Sequence, residues 1–146
     1  MTGTQDYFAR DPSLAATDKG RYFELLEVDP VEFTPGLEFR PVIGERMLVN
    51  FVRYQPNTEA PVHAHEEEQV TFVVDGEFEF DLDGDVRVMR PGMAVLVPPG
   101  VPHGAKTQDT LCYEIDVFSP PRRVLVEAAR AAANAEEIVV EPPGGG

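Results

Sequence analysis

The residues with most chemical capacity at a telling spacing are the three histidines, His63, His65 and His103. The first two form a His-Ala-His triplet. On a β-strand, side chains at i and i+2 leave the same face, about 7 Å apart along the backbone, so two imidazoles placed this way can converge on one ion. The same triplet also occurs on ordinary solvated strands, and by itself it leaves both readings open. Glu66, Glu67 and Glu68 follow, a charge run that reads as a solvated loop, and Gln69 comes next. A second polar group lies late in the chain, in Asp116-Val117-Phe118-Ser119-Pro120-Pro121-Arg122. Period two puts Asp116 and Phe118 on one face, and the prolines hold Arg122 near the strand's end.

The elements that must position these residues are short. From Val31 onward, apolar runs alternate with Gly, Pro, Asn and Asp turns, which predicts an all-β sandwich or barrel. Strands are expected over residues 31–33, 37–43, 45–55, 69–74, 77–82, 86–89, 93–97 and 111–118. Phe78, Phe80 and Leu82 alternate with Glu77, Glu79 and Asp81, the mark of a half-buried strand. Asp83-Gly84 then predicts a tight hairpin, because this pair tolerates the left-handed turn. Residues 122–135 are alanine-rich and predict a short C-terminal helix. The expected organisation is an N-terminal arm over 1–20 with a short helix near 13–16, a β-domain over 21–121, and a helix with a loose tail over 122–146.

Composition narrows the function classes. Among 146 residues, 12 Lys and Arg face 26 Asp and Glu, for a formal charge of −14. Such a field repels nucleic acid and anionic lipid, so neither is an expected partner. No apolar run approaches the ~20 residues of a membrane span. The N-terminus shows no basic segment followed by an apolar one, and the single cysteine, Cys112, makes no internal disulfide; both fit a cytoplasmic location. With 14 prolines and 12 glycines the chain is punctuated too often for a helical bundle.

With the histidines in place, the sequence resembles the cupin superfamily, whose jelly-roll β-barrel carries two spaced motifs. The first runs here as Asn57, five residues, His63-Ala64-His65, three residues, Gln69, six residues, Gly76. The second runs as Gly92, five residues, Pro98-Pro99-Gly100, two residues, His103, three residues, Thr107. All three histidines fall on the family's metal positions. The resemblance implies one divalent ion per chain held by His63, His65, Gln69 and His103, with Glu68 as the alternative fourth ligand. Zinc is the first expectation, since it binds imidazole and does Lewis-acid work without redox; iron, nickel or manganese also suit such a site. Asn57 stands where the family has Gly, and Asn tolerates the left-handed conformation. Thr107 replaces a structural Asn. Gln69 replaces a glutamate, so the ion keeps its full charge, which favours polar chemistry over cycling through a trivalent state.

The ending of the last strand resembles a cupin subgroup that also carries Gln at the fourth position and includes pectin-degradation cupins opening unsaturated uronate rings. There is one residue fewer here between the second His and the Gln. That resemblance implies Asp116 as a proton-transfer group, Phe118 as a pocket wall and Arg122 as an anchor for a carboxylate or enolate. Tyr113 and Phe51 are further expected walls, although either face of residues 47–54 could turn to the metal. A pocket lined mainly by aromatic and aliphatic side chains suits a flat poly-oxygenated substrate. The small cupins that cyclise aromatic polyketides look similar, which makes a metal-dependent cyclase or isomerase the leading expectation. The alternatives are uronate ring-opening, a metal dioxygenase of the quercetin-cleaving type, and a non-catalytic binding cupin. Small cupins also imply a homodimer, in which an N-terminal strand extends the partner's sheet; the alternative is a monomer whose C-terminal helix covers that edge.

Overall fold

The computed structural model describes residues 7–140. These form β1 (Val31–Thr34), β2 (Leu37–Ile43), β3 (Leu48–Tyr54), β4 (Glu59–His63), β5 (Glu68–Gly76), β6 (Phe78–Leu82), β7 (Asp85–Met89), β8 (Ala94–Val97), β9 (His103–Lys106), β10 (Cys112–Ser119) and α1 (Arg123–Val140). A 3-10 turn at Leu25–Glu27 precedes them. Two antiparallel sheets face each other, one ordered β1-β2-β3-β10-β5-β8 and the other β4-β9-β6-β7. This is the expected all-β jelly roll. The core lies between the sheets, where β3 buries every second residue: Leu48, Asn50, Val52 and Tyr54. Val73, Phe78, Phe80, Met89, Val97 and Cys112 pack around Val52 and Tyr54. Leu125 of α1 closes one end against Leu48 and Phe118.

Turn chemistry sets the register. Asp83 and Gly84 have φ of 50° and 89°, the two left-handed residues a tight hairpin needs between β6 and β7. Asn57 takes the left-handed conformation at φ 55°. At Gly76, φ is 74° and a Cβ would meet the Leu111 carbonyl oxygen at 2.0 Å, so the end of β5 admits no side chain. Thr107 Oγ1 donates to the Gln55 carbonyl at 2.6 Å and accepts from the Thr58 N–H at 3.0 Å, tying the loop before β4 to the end of β9.

Several expectations are corrected. Strands β4 and β9 lie outside the expected set; β4 contains Pro61 and is an edge strand with a register shift, and β9 is His-Gly-Ala-Lys, with no strand-forming residue. Pairing with neighbours, not propensity, makes them strands. The strand expected from residue 45 begins at Leu48, because Gly44 N–H and Met47 C=O close a turn at 2.8 Å. No helix forms over 13–16. Instead the Asp11 carboxylate accepts from the Ser13 N–H at 2.9 Å and its hydroxyl at 2.6 Å, a local bond that competes with helix. Helix α1 runs five residues past the expected end, with no Gly or Pro before Pro142 to stop it. Residues 1–6 of the expected arm and the tail from 142 lie outside the described residues. Among the described residues no helix is long and apolar enough to cross a membrane.

Candidate metal centre

His63 closes β4 directly opposite His103, which opens β9. His65 lies beyond the strand, on the loop to β5, where the Gly100 N–H holds its carbonyl at 2.8 Å. The His-Ala-His pair therefore converges through a chain turn, not through strand parity. Ring centroids stand 4.4 Å apart for His63 and His103, 4.9 Å for His65 and His103, and 5.6 Å for His63 and His65. Each Nδ1 meets a carbonyl oxygen: Pro61 for His63 at 2.8 Å, Glu67 for His65 at 3.0 Å, Val101 for His103 at 2.9 Å. A carbonyl only accepts, so each Nδ1 carries the proton and each Nε2 is left as a lone pair.

One ligand atom from each of the three rings falls within 4.8 Å of the others. His103 Nε2 is buried with no hydrogen-bond partner. Gln69 Oε1 stands 3.0 Å from His65 Nε2, so two lone pairs face each other across a gap. Gln69 turns this oxygen inward because its amide nitrogen donates to Thr71 Oγ1 at 2.7 Å and reaches Asp116 Oδ1 at 3.4 Å. Converging lone pairs with no proton among them are satisfied by a cation. Burial pushes His103 down to about 4 and lowers His65, keeping both rings in the neutral form that binds metal. Three imidazoles and one amide oxygen fit a divalent ion. Glu68, the alternative ligand, is exposed.

Beyond Gln69 the inner wall carries a row of polar groups. Asn50, Asp116 and Thr71 lie opposite one another on β3, β10 and β5, and Glu114 occupies the next row between Val52 and Val73. Thr71 Oγ1 donates to Asp116 Oδ1 at 2.5 Å. Glu114 is also hydrogen-bonded to Asp116. Burial, then the Asp116 charge, holds the Glu114 carboxyl well above the usual carboxylate range. Asp116 is raised by burial, while its hydrogen bonds to Glu114 and Thr71 oppose the shift. Two buried carboxyls in contact thus hold protons more readily than free ones, the larger rise falling on Glu114. Glu114 escaped the sequence reading, although it shares a face with Asp116 two residues on, and Asn50 entered it only as part of one of the two faces of residues 47–54.

The cavity between the sheets has a volume of about 370 Å³. Phe33, Phe39, Phe78, Phe80 and Phe118 supply apolar wall, and Asp116 and Arg122 line it beside the ligand cluster. Phe51 and Tyr113, expected as walls, lie on the other side of their sheet. They alternate with the buried residues of β3 and β10, and Tyr113 stacks under the Arg53 guanidinium at 5.0 Å. The glutamate run is not wholly solvated either. Glu66 and Glu68 are exposed, but Glu67 is only 7% exposed. Its carboxylate stands 3.5 Å from His65 Nδ1 and 3.7 Å from Arg122 Nη1, so it links the ligand loop to the start of α1.

Comparison with known proteins places this architecture. The cupin domain family matches residues 50–115. An RmlC-like cupin from Shewanella frigidimarina is 30% identical, with a TM-score of 0.68, over 73% of this chain and 96% of that one. This chain belongs to the cupin superfamily. Other cupin neighbours include KdgF from Halomonas sp., 29% identical with a TM-score of 0.69 over 73% of this chain and 99% of that one. The polyketide cyclase RemF from Streptomyces resistomycificus is 25% identical, with a TM-score of 0.64, over 71% and 82% of the two chains. A candidate dimethylsulfoniopropionate lyase, DddL, from Cereibacter sphaeroides is 31% identical over 70 residues, and this cupin spans only 29% of its length.

Proposed function

We propose that this cupin is a metal-dependent enzyme that enolises a small carbonyl-rich substrate and then cyclises or isomerises it, an aromatic polyketide in the first instance. The observation that carries the reading is an uncharged donor set, His63, His65, His103 and Gln69, beside a carboxylate held in an apolar-walled cavity. His63, His65, His103 and Gln69 would hold a divalent ion, zinc first, which would supply Lewis acidity toward a substrate oxygen, undiminished by any ligand carboxylate. Asp116 accepts the acidified carbon-bound proton. Thr71 and Gln69 aim it from one side and Glu114 backs it from the other, so the base is oriented before substrate arrives. Phe118 and the facing aromatics exclude water and align flat rings. Arg122 stabilises negative charge developing at the cavity, with Glu67 fixing its guanidinium. The likeness to a polyketide cyclase supports this substrate class.

Uronate ring-opening is the second reading, favoured by Arg122 as a guanidinium able to hold a carboxylate at the cavity wall. Both readings need no oxygen, unlike a dioxygenase. The test supplies the metal-loaded protein, under nitrogen, with a poly-β-ketone made in situ by a minimal polyketide synthase. The expected result is a new cyclised aromatic product that disappears on chelation and in Asp116→Asn. A product formed only in air would replace this reading with oxygenase chemistry, and turnover of an unsaturated uronate alone would favour the second.

A further inference from the structure

Glu67 is the member of the glutamate run that the fold buries, between exposed Glu66 and Glu68. Two of its groups face one ring nitrogen. Its carbonyl accepts from His65 Nδ1 at 3.0 Å, and its carboxylate Oε1 stands 3.5 Å from the same atom. That Oε1 is also 3.7 Å from Arg122 Nη1. Both distances are too long for a hydrogen bond, so one oxygen lies between two donors and neutralises both by charge. Arg122 is held in place at its backbone, where its carbonyl accepts from the Leu125 and Val126 N–H groups at 3.0 and 3.1 Å. Its guanidinium, half-buried, therefore stays one carboxylate away from a ligand ring.

We infer that Glu67 is a positioning residue of the metal centre, which from outside the ligand set supplies the negative charge that Gln69 lacks, offsetting Arg122 and orienting the His65 ring. This rests on the metal-centred reading above, but not on the reaction proposed there. An uncharged donor set has nothing of its own to oppose a neighbouring guanidinium, whose charge disfavours a cation at that range in a partly desolvated site. Burial is the first cause of the low basicity of His65 and His103, and the Arg122 charge adds to it at both rings. Glu67 acts on His65 in the opposite sense. Nδ1 and Nε2 lie on different sides of an imidazole, so a carboxylate beside Nδ1 acts on the ion through the ring and through space, not as a ligand. With the anion displaced to this outer position, the site still attracts a cation, while the ion keeps the Lewis acidity that a coordinating glutamate would reduce.

The test titrates cobalt(II) into the metal-free full chain and follows its visible spectrum, for the unaltered protein, Glu67→Gln and Arg122→Gln. Glu67→Gln keeps the size of the side chain and the carbonyl contact to Nδ1 and removes only the charge. It is expected to weaken cobalt binding about 10-fold or more, the usual effect of losing an outer partner, with the spectrum of the saturated protein unchanged. Arg122→Gln is expected to strengthen binding about 3-fold or more, because it removes the opposing charge. Opposite signs mark an effect of charge. An ion pair that only ties the ligand loop to α1 would make both variants bind more weakly, and that result overturns the inference. Unchanged affinity in Glu67→Gln also overturns it, as does an altered saturated spectrum, which would make Glu67 a ligand. Thermal melts of the metal-free proteins show whether each variant folds. If Glu67→Gln does not, Arg122→Gln decides by itself, and an affinity that fails to rise overturns the inference. No cobalt bound by the unaltered protein sinks the metal-centred reading and this inference with it, a result distinct from all the others.

Discussion

Nδ1 of each histidine is tied to the chain itself, at Pro61, Glu67 and Val101, which leaves metal binding as the role for the other nitrogen. Elemental analysis of protein purified without added metal should find about one divalent ion per chain, and His103→Ala should reduce it to a trace. Full occupancy after that change would remove His103 from the ligand set. Asp116→Asn should leave the melting temperature within a few degrees and lower turnover about 100-fold or more, the usual size of a lost general base. Glu114 gives the clearest pH signature. Burial raises its folded pKa above the ordinary 4.5, so the folded state binds the extra proton. Stability is then complete below about pH 4.5 and falls as pH rises toward the folded pKa, by up to about 1.4 kcal/mol per unit. Denaturant unfolding across pH 4 to 8 should show this slope, and Glu114→Gln should flatten it; an equal slope in the variant would assign it elsewhere.

At the scale of elements, the centre depends on the approach of β4 to β9. Gly104 sits between them, where a Cβ would meet Ala60 O and Val62 N at 2.9 Å each and Val62 Cα at 3.1 Å. Those are backbone atoms and cannot swing away. Gly104→Ala should push the two strands apart, destabilise the fold by about 1–3 kcal/mol, and weaken metal affinity at least 10-fold by separating His63 from His103. Unchanged affinity with lowered stability would show that the loops, not the strand pair, hold the ligands. The same two strands are those that local pattern missed, since Pro61 and the His-Gly-Ala-Lys stretch carry no strand propensity and owe their state to the sheet.

For the whole molecule, β1 is an edge of the six-stranded sheet, and apolar side chains around it stay in water: Tyr22, Phe23, Leu26 and Phe33 are 105%, 46%, 87% and 47% exposed. Helix α1 packs on β1 and β2 but leaves these residues uncovered. An unpaired edge flanked by apolar residues is a hazard that a second identical chain removes. Light scattering at micromolar concentration should give the mass of two chains, and Phe33→Glu with Leu26→Glu should give one. A single-chain mass for the unaltered protein, constant on dilution and in salt, would show that the charge of −14 keeps it apart.

Sequence by itself determined the features that depend on a few neighbouring residues. The Asp83-Gly84 hairpin and the left-handed Asn57 follow from local backbone preference. The match of His63, His65, Gln69 and His103 to the cupin motifs implied the jelly roll and its ligand cluster, by resemblance to a family and not by local residue preference. Tertiary structure alone decided which side of each strand faces the cavity. Period two says that Phe51 and Arg53 share one face and Asn50 and Val52 the other, but it carries no sign; the pairing of β3 with β10 and the opposing sheet supply it, turning Asn50 inward and Phe51 out. The same holds for Glu67 and Glu114. Both are buried carboxyls whose partners, Arg122 and Asp116, are brought beside them by strand pairing and loop packing. Hydrogen-bond and charge partners across a fold are set by contacts between strands, which no local pattern of residues records.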